Sequence, residues 1–299
     1  MTEVAQYTAC LEPYVGLKGL CEDIPGAYLV NDLPGVALRT FAHTATEEDK
    51  TARELFLRLR RLAAEQVAAD FLHRLGEKYE VEEVAERRTL GDLDTNKLVP
   101  EGAFKLERYA PMLRLRLDKL TVYADRLGNA TLTLNGVETT VLLQQGYNDI
   151  ETDVTADTIT GSLVGVDGLQ LARTTSYGLR GTTAKSTGAT YGAAQLHYVA
   201  LCDQIVCAFA QSLGRATRFM TAALLMQELE YSDRDNPLAR NGKESAGRIY
   251  ASIMGTRDPV TDLKHDSKYY RELSMAVARA KLSGPCVSCT GQRIIESTP

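Results

Sequence analysis

The spacing of hydrophobic and polar positions changes along this chain, from helical spacing to strict alternation and back. Alternation rules the middle. Leu113, Leu115 and Leu117 interleave with Arg114, Arg116 and Asp118, the mark of a half-buried strand. The apolar phase then moves to Leu120, Val122 and Ala124, which predicts a bulge near Asp118-Lys119. Ala130-Thr-Leu-Thr-Leu134 and Val137-Glu-Thr-Thr-Val141 flank Asn135-Gly136, a pair that accepts positive φ twice and so predicts a type I′ hairpin. That turn sets Leu134 opposite Val137, Leu132 opposite Thr139 and Ala130 opposite Val141. Thr133/Glu138 and Thr131/Thr140 share the other face, and a slip of one residue would invert both faces. Gly146 to Ile150, Asp153 to Thr155, Ile159 and Ser162 to Val166 supply further short strands. A small β-sandwich of jelly-roll type is expected.

Helical spacing flanks this module. A helix is expected from Glu48 onward, with Thr44 and Glu47 as a capping box or Thr46 as N-cap. Its predicted stripe is Leu55, Leu59, Leu62, Gln66, Ala69 and Leu72, and Gly76 is its predicted stop. Val81 to Pro100 is charged and reads as a short helix or a linker. Asp203 is a predicted cap for a helix with Ile205, Phe209, Leu213, Ala216, Met220 and Leu224 on one face, ending near Asn236-Pro237. Small residues Ala208, Gly214, Ala222 and Ala223 suit close packing along it. Further helices are expected from Asn241 to Gly255 and from Asp266 to Leu282. The class expected is therefore α+β, a helical domain with an inserted antiparallel β-sandwich. Its parts are an extended arm at 1–43, a helical region at 44–110, the sandwich at 111–172, a mobile Gly/Thr-rich loop at 173–192, and a helical region at 193–299 packing with 44–110.

Composition narrows the function classes. The 299 residues carry a net charge of −5, which argues against a binder relying on phosphate neutralisation. Arg58, Arg60 and Arg61 lie mostly off the apolar stripe and read as a solvated face. No run approaches the ~20 apolar residues of a membrane span. Met1 to Gln6 lacks the basic and apolar regions of a signal peptide, so a cytoplasmic protein is expected. Six cysteines in this length do not form a disulfide scaffold. They read as buried or idle thiols, with a zinc site at Cys286 and Cys289 and a disulfide as the alternatives.

Catalytic signals are sparse. Gly178 to Ser186 approaches a phosphate-binding loop, but Ala184 precedes Lys185 and Gly178 stands one position too early. His43, His73, His197 and His265 form no HxH or HExxH pattern. The acid pairs Asp233/Asp235 and Glu82/Glu83 act together only if the fold sets them ~5–10 Å apart. Tyr123 and Tyr147 are the only aromatic platform the β module offers a sugar, and there is no Trp. No catalytic or cofactor-binding residue is assigned.

Several short motifs carry a resemblance. They are Tyr14-Val-Gly-Leu-Lys-Gly-Leu-Cys21, Tyr28-Leu-Val-Asn-Asp-Leu-Pro-Gly35, Val164-Gly-Val-Asp-Gly168, Leu201-Cys-Asp-Gln-Ile-Val-Cys207, Glu228 to Asn236 and Cys286-Val-Ser-Cys289. With the helix–β–helix order, the chain resembles structural virion proteins of tailed phages, especially crAss-like and related phages of Bacteroidota-type hosts. The pattern departs from them around 172–192. The resemblance implies a non-enzymatic subunit of a homo-oligomeric ring at the neck or head–tail connection, assembled in the bacterial cytoplasm. Its implied partners are portal-like and tail proteins, with transient contact to genomic DNA and none to a membrane. An acidic balance suits a channel that lets DNA slide. Two other readings stay open: a glycan-binding tail or cell-surface module, and a zinc-stabilised enzyme or regulator around Cys286 and Cys289.

Overall fold

The computed structural model describes residues 8–20, 25–44, 51–174, 183–187, 192–231, 237–256, 266–281 and 285–288. The chain divides into two compact units, one of residues 1–80, 206–283 and 289–299, the other of 81–205 and 284–288. The class is α+β with two open antiparallel sheets in a sandwich-like arrangement.

The first unit is helical. Its helices are α1 (Leu38–Thr44), α2 (Ala52–Lys78), α3 (Ile205–Ala208), α4 (Ala210–Glu230), α5 (Pro237–Met254) and α6 (Lys268–Lys281). α4 packs against α2, α5 and α6, and Leu213, Ala216, Met220, Ala223 and Leu225 are among its buried residues. Two hydroxyls inside it are satisfied by the preceding turn: Thr217 donates to the Leu213 carbonyl at 3.0 Å and Thr221 to that of Thr217 at 2.8 Å. The expected single helix from Asp203 is interrupted at Phe209, which separates α3 from α4.

Two expectations fail here for reasons of packing. Of the segment 1–43, the described residues 8–20 and 25–43 are not an extended arm. Leu11, Val15, Leu17, Val30 and Phe41 are fully buried, and β1 (Val15–Gly16) pairs in parallel with β2 (Tyr28–Leu29). Gly214 on α4 makes room for them, since a Cβ there would lie 2.8 Å from the Tyr28 ring and 2.9 Å from the Tyr14 Cβ. Nor does α2 bury the whole predicted stripe: Leu55 and Leu59 are buried, but Leu62, Gln66 and Ala69 are exposed. Its buried face is Leu55, Phe56, Leu59, Ala63, Ala64, Val67, Phe71 and Leu75, and Leu62 is 43% exposed. Alanines let neighbours approach closely, so the tighter face outcompetes the one with more leucine.

The caps of α2 also moved. Thr51 is the N-cap: its hydroxyl accepts from the Glu54 amide at 3.2 Å and donates to the Glu54 carboxylate at 3.1 Å, whereas the sequence places the cap at Thr44 or Thr46. Thr44 lies inside α1 and donates to the Thr40 carbonyl at 2.7 Å. Gly76 is interior; the helix closes when the Tyr79 amide donates to Leu75.

The second unit contains the sandwich, which is larger than 111–172. After β3 (Glu80–Val81) come β4 (Val84–Leu90), β5 (Leu93–Val99), β6 (Glu101–Arg108), β7 (Arg114–Ala124), β8 (Gly128–Leu134), β9 (Val137–Leu143), β10 (Gly146–Ala156), β11 (Thr158–Gly165), β12 (Leu171–Thr174), β13 (Ala184–Thr187), β14 (Gln195–Leu201) and β15 (Val287–Ser288). One sheet runs β4-β14-β7-β12-β5 with β10 also on β7, and the other runs β13-β6-β11-β8-β9. Four strands, β3 to β6, thus lie inside the expected helical region 44–110, and β14 and β15 lie inside 193–299. β4 and β5 are mostly partly exposed on both faces, so no period-2 apolar signal marks them. Of the expected loop 173–192, Thr174 ends β12 and 184–187 form β13, whereas 175–182 and 188–191 fall outside the described residues.

The core of the module is as the alternation required. Leu115, Leu117, Leu120, Val122 and Ala124 are all fully buried. Asp118 is skipped between His197↔Lys119 and Tyr198↔Leu117, which is the bulge that carries the phase change. The β8–β9 register is Leu134↔Val137, Leu132↔Thr139 and Ala130↔Val141, with Asn135 at φ 48° and Gly136 at φ 83°.

Candidate functional site

The least completed part of the sandwich is its rim. β9 is the last strand of its sheet, while β10 is held only by β7. The two are not hydrogen-bonded to each other, and between them opens a cleft of about 380 Å³. Leu132, Leu134, Val137 and Val141 line one side and Ile150 and Val154 the other. β10 keeps its curve through a bulge between Glu151 and Val154, where Asp153 has φ 49° and the Thr152 hydroxyl donates to the Leu117 carbonyl at 2.7 Å. Val137 and Leu142 are about two-thirds exposed, at 68% and 65%, and the only charge on β9 is Glu138. An exposed edge of this kind is a template for further strand pairing.

A polar row crosses the outer face of the other sheet. Thr89 on β4, His197 on β14, Thr121 on β7 and Asp149 on β10 stand on neighbouring strands. The Thr121 hydroxyl donates to Asp149 Oδ1 at 2.6 Å and therefore accepts from His197 Nε2–H at 2.9 Å. His197 Nδ1 then accepts from the Thr89 hydroxyl at 3.0 Å. Lys119 Nζ donates to Asp149 Oδ2 at 2.9 Å. The Thr121 hydroxyl and the Lys119 ammonium hold the Asp149 carboxyl below its usual range. Burial first, and Lys119 second, push His197 below its ordinary 6.5. Both ring nitrogens are engaged, so the imidazole has no lone pair left for base chemistry; the row ties strands together. Its signal in the sequence was poor, because β14 enters from more than 70 residues beyond β7 and its parity means nothing until it is paired.

The residues singled out by sequence have separate fates. Cys286 is disulfide-bonded to Cys202, and Cys10 to Cys207. This corrects the reading of idle thiols, and it removes Cys286 as a zinc ligand; Cys289 lies outside the described residues. Among the described residues no group of His, Cys, Asp and Glu could hold a metal ion. Tyr123 and Tyr147 are cross-strand partners with ring centroids 5.2 Å apart, edge to face.

The remaining candidates are scattered. His73 lies on the surface beside Glu77 at 3.2 Å, the side chain of His43 is outside the described residues, and so are His265, Asp233 and Asp235. Lys185 and Ser186 belong to β13 rather than to a phosphate loop, and the loop's start at Gly178 is outside the described residues. Glu82 and Glu83 use their backbones, Glu82 N–H donating to the Cys286 carbonyl and the Glu83 carbonyl accepting from Cys202. The basic run is occupied: Arg58 pairs with Glu228 at 2.7 Å, Arg60 is buried beside Glu12 and Arg61 pairs with Glu65. Among the described residues no helix is long and apolar enough to cross a membrane.

No family model, curated protein or solved structure matches the chain.

Proposed function

We propose that the chain is a non-enzymatic structural subunit of a tailed-phage virion, a head–tail connector or neck protein working as a homo-oligomeric ring. The observation that carries this reading is the apolar, weakly charged rim between β9 and β10, a surface fit for contact with other subunits. The motifs behind the resemblance support it in a physical way: Tyr14 and Tyr28 pack around Gly214, and Cys202, Cys207 and Cys286 form cross-links. They are residues of architecture. Two disulfides suit a particle that persists outside a reducing cell, and a charge of −5 suits DNA passing without being held. Portal-like and tail proteins are the partners on this reading. The test is to tag the protein in an infecting phage and image purified virions. Label in a ring at the neck or tail is the expected result; virions without label there would end the reading.

A second reading is favoured by the Tyr123–Tyr147 pair. Tyr147 is 65% exposed, so the pair offers one accessible aromatic face to a sugar. The two rings meet at 72° and make no flat platform, which weakens it. Glycan-array binding abolished by Tyr147→Ala would move the assignment to a glycan-binding tail or cell-surface module.

A further inference from the structure

We propose that the outer edge of β9 pairs antiparallel with β9 of a second copy of this chain, centred on Thr140, joining two five-stranded sheets into one. This rests on the rim being a contact surface and is independent of the virion setting. A two-fold contact couples copies in pairs, so within the proposed function the rim joins a subunit of one ring to a subunit of another.

The backbone sets the register. Residues flanking a two-residue hairpin turn form a hydrogen-bonded pair, and bonded and non-bonded pairs then alternate. With Leu134 opposite Val137, the backbone groups of Val137, Thr139, Val141 and Leu143 point toward β8. Those of Glu138, Thr140 and Leu142 point outward. No hydrogen bond among the described residues reaches these outward groups. A two-fold self-pairing can be centred on an outward residue, as a bonded pair, or on an inward one, as a non-bonded pair; Thr140, the midpoint of Val137–Leu143, is the centre that engages the whole strand. Thr140 then exchanges both bonds with Thr140 of the second copy, and Glu138 with Leu142 of the second copy.

The side chains agree with that register. β9 has no Pro, Gly, Lys or bulge, the devices by which edge strands avoid pairing. In the proposed register Glu138 faces an apolar residue, never its own copy, and Thr faces Thr at the axis, a favourable cross-strand pair. The two-fold axis is perpendicular to the sheet, so each strand keeps its faces. Leu143 and Val141 of the second copy therefore stand on the cleft side, opposite the exposed Val137 and Thr139 and beside the open mouth toward Ile150 and Val154. Exposed Leu142 comes to lie against the Glu138 stem of its partner. One pairing thus satisfies the edge, closes the cleft and avoids like charges. The second copy is the occupant because these matches come from reading the strand against itself.

Sedimentation velocity of the full, oxidised chain over a concentration series is the test. A concentration-dependent species of twice the 32.8 kDa chain mass is expected. Thr140→Lys, which sets two ammonium groups face to face, should weaken dimerisation about tenfold or more with an unchanged thermal midpoint at concentrations where the chain is monomeric, since residue 140 is exposed in the monomer. Thr140→Cys should be trapped as a covalent dimer on mild oxidation, because a hydrogen-bonded antiparallel pair sets its Cα atoms about 5.5 Å apart. Tyr147→Cys, exposed on the neighbouring strand, should not be trapped. A chain that stays monomeric throughout and is not trapped at residue 140 overturns the proposal. So does a larger assembly that ignores Thr140→Lys, although that outcome leaves the ring reading standing. Label absent from virions would remove the ring reading without touching the dimer.

Discussion

Single side chains carry more of this protein's stability than the hydrophobic pattern suggests. Tyr269 on α6 is fully buried, and its hydroxyl donates to Asp70 on α2 at 2.5 Å; burial and that carboxylate raise its pKa far above the usual phenol value. Gln66 holds the other Asp70 oxygen at 2.8 Å. Tyr269→Phe should therefore cost about 1–3 kcal/mol in urea unfolding, the loss of a hydrogen bond to a charged group. His197 gives a test through pH. Its folded pKa lies below 6.5, so between the folded value and 6.5 the unfolded chain binds more protons than the folded one. Its stabilising contribution is whole above about pH 6.5 and fades as pH falls through the folded pKa. The urea midpoint of wild type should drop more between pH 7 and pH 5 than that of His197→Gln. Equal slopes would mean that the imidazole is not desolvated as described.

At the scale of elements, two glycines on helices should behave oppositely. A Cβ at Gly214 meets Tyr28 and Tyr14 below 3 Å, whereas one at Gly76 meets nothing within 4 Å. Gly214→Ala should destabilise by about 1–3 kcal/mol through overpacking. Gly76→Ala should stabilise by up to about 1 kcal/mol, the ordinary helix preference for alanine. Thermal melts of both variants check the pair, and loss in both would mean that Gly76 is packed after all. The hairpin at Asn135-Gly136 and the bulge at Asp118 were legible because local chemistry dictates them: two positive φ values in one, a phase change in the other. The buried face of α2 beyond Leu55 and Leu59 was not legible. Choosing between Leu62 and the Ala63/Ala64 side depends on how closely α1, α4 and α6 approach it.

For the whole molecule, the two disulfides matter most. Cys202 follows β14 and Cys207 lies in α3, and each reaches a distant part of the chain, closing separations of 84 and 197 residues. Cross-links that close long loops constrain the unfolded chain strongly, typically by about 2–5 kcal/mol each. Peptide mapping without reductant should recover 10–207 and 202–286 linkages, and Cys202→Ser with Cys286→Ser should lower the unfolding free energy by about that amount. Recovery of 202–207 or 286–289 linkages would contradict the pairing.

The amino-acid order alone determined the α+β class, the β7–β11 core with its turn, its bulge and its facing residues, and the approximate places of the longer helices. These follow from forces acting between near neighbours: turn torsions, the two-residue period of a pleat and the 3.6-residue period of a helix. Tertiary structure alone decided that β4, β5 and β14 are strands, which cysteines join, that residues 8–20 and 25–44 pack inward, and that a polar row and an open rim exist. Each of these needs partners from far along the chain, whose positions become defined only once the separate elements have come together.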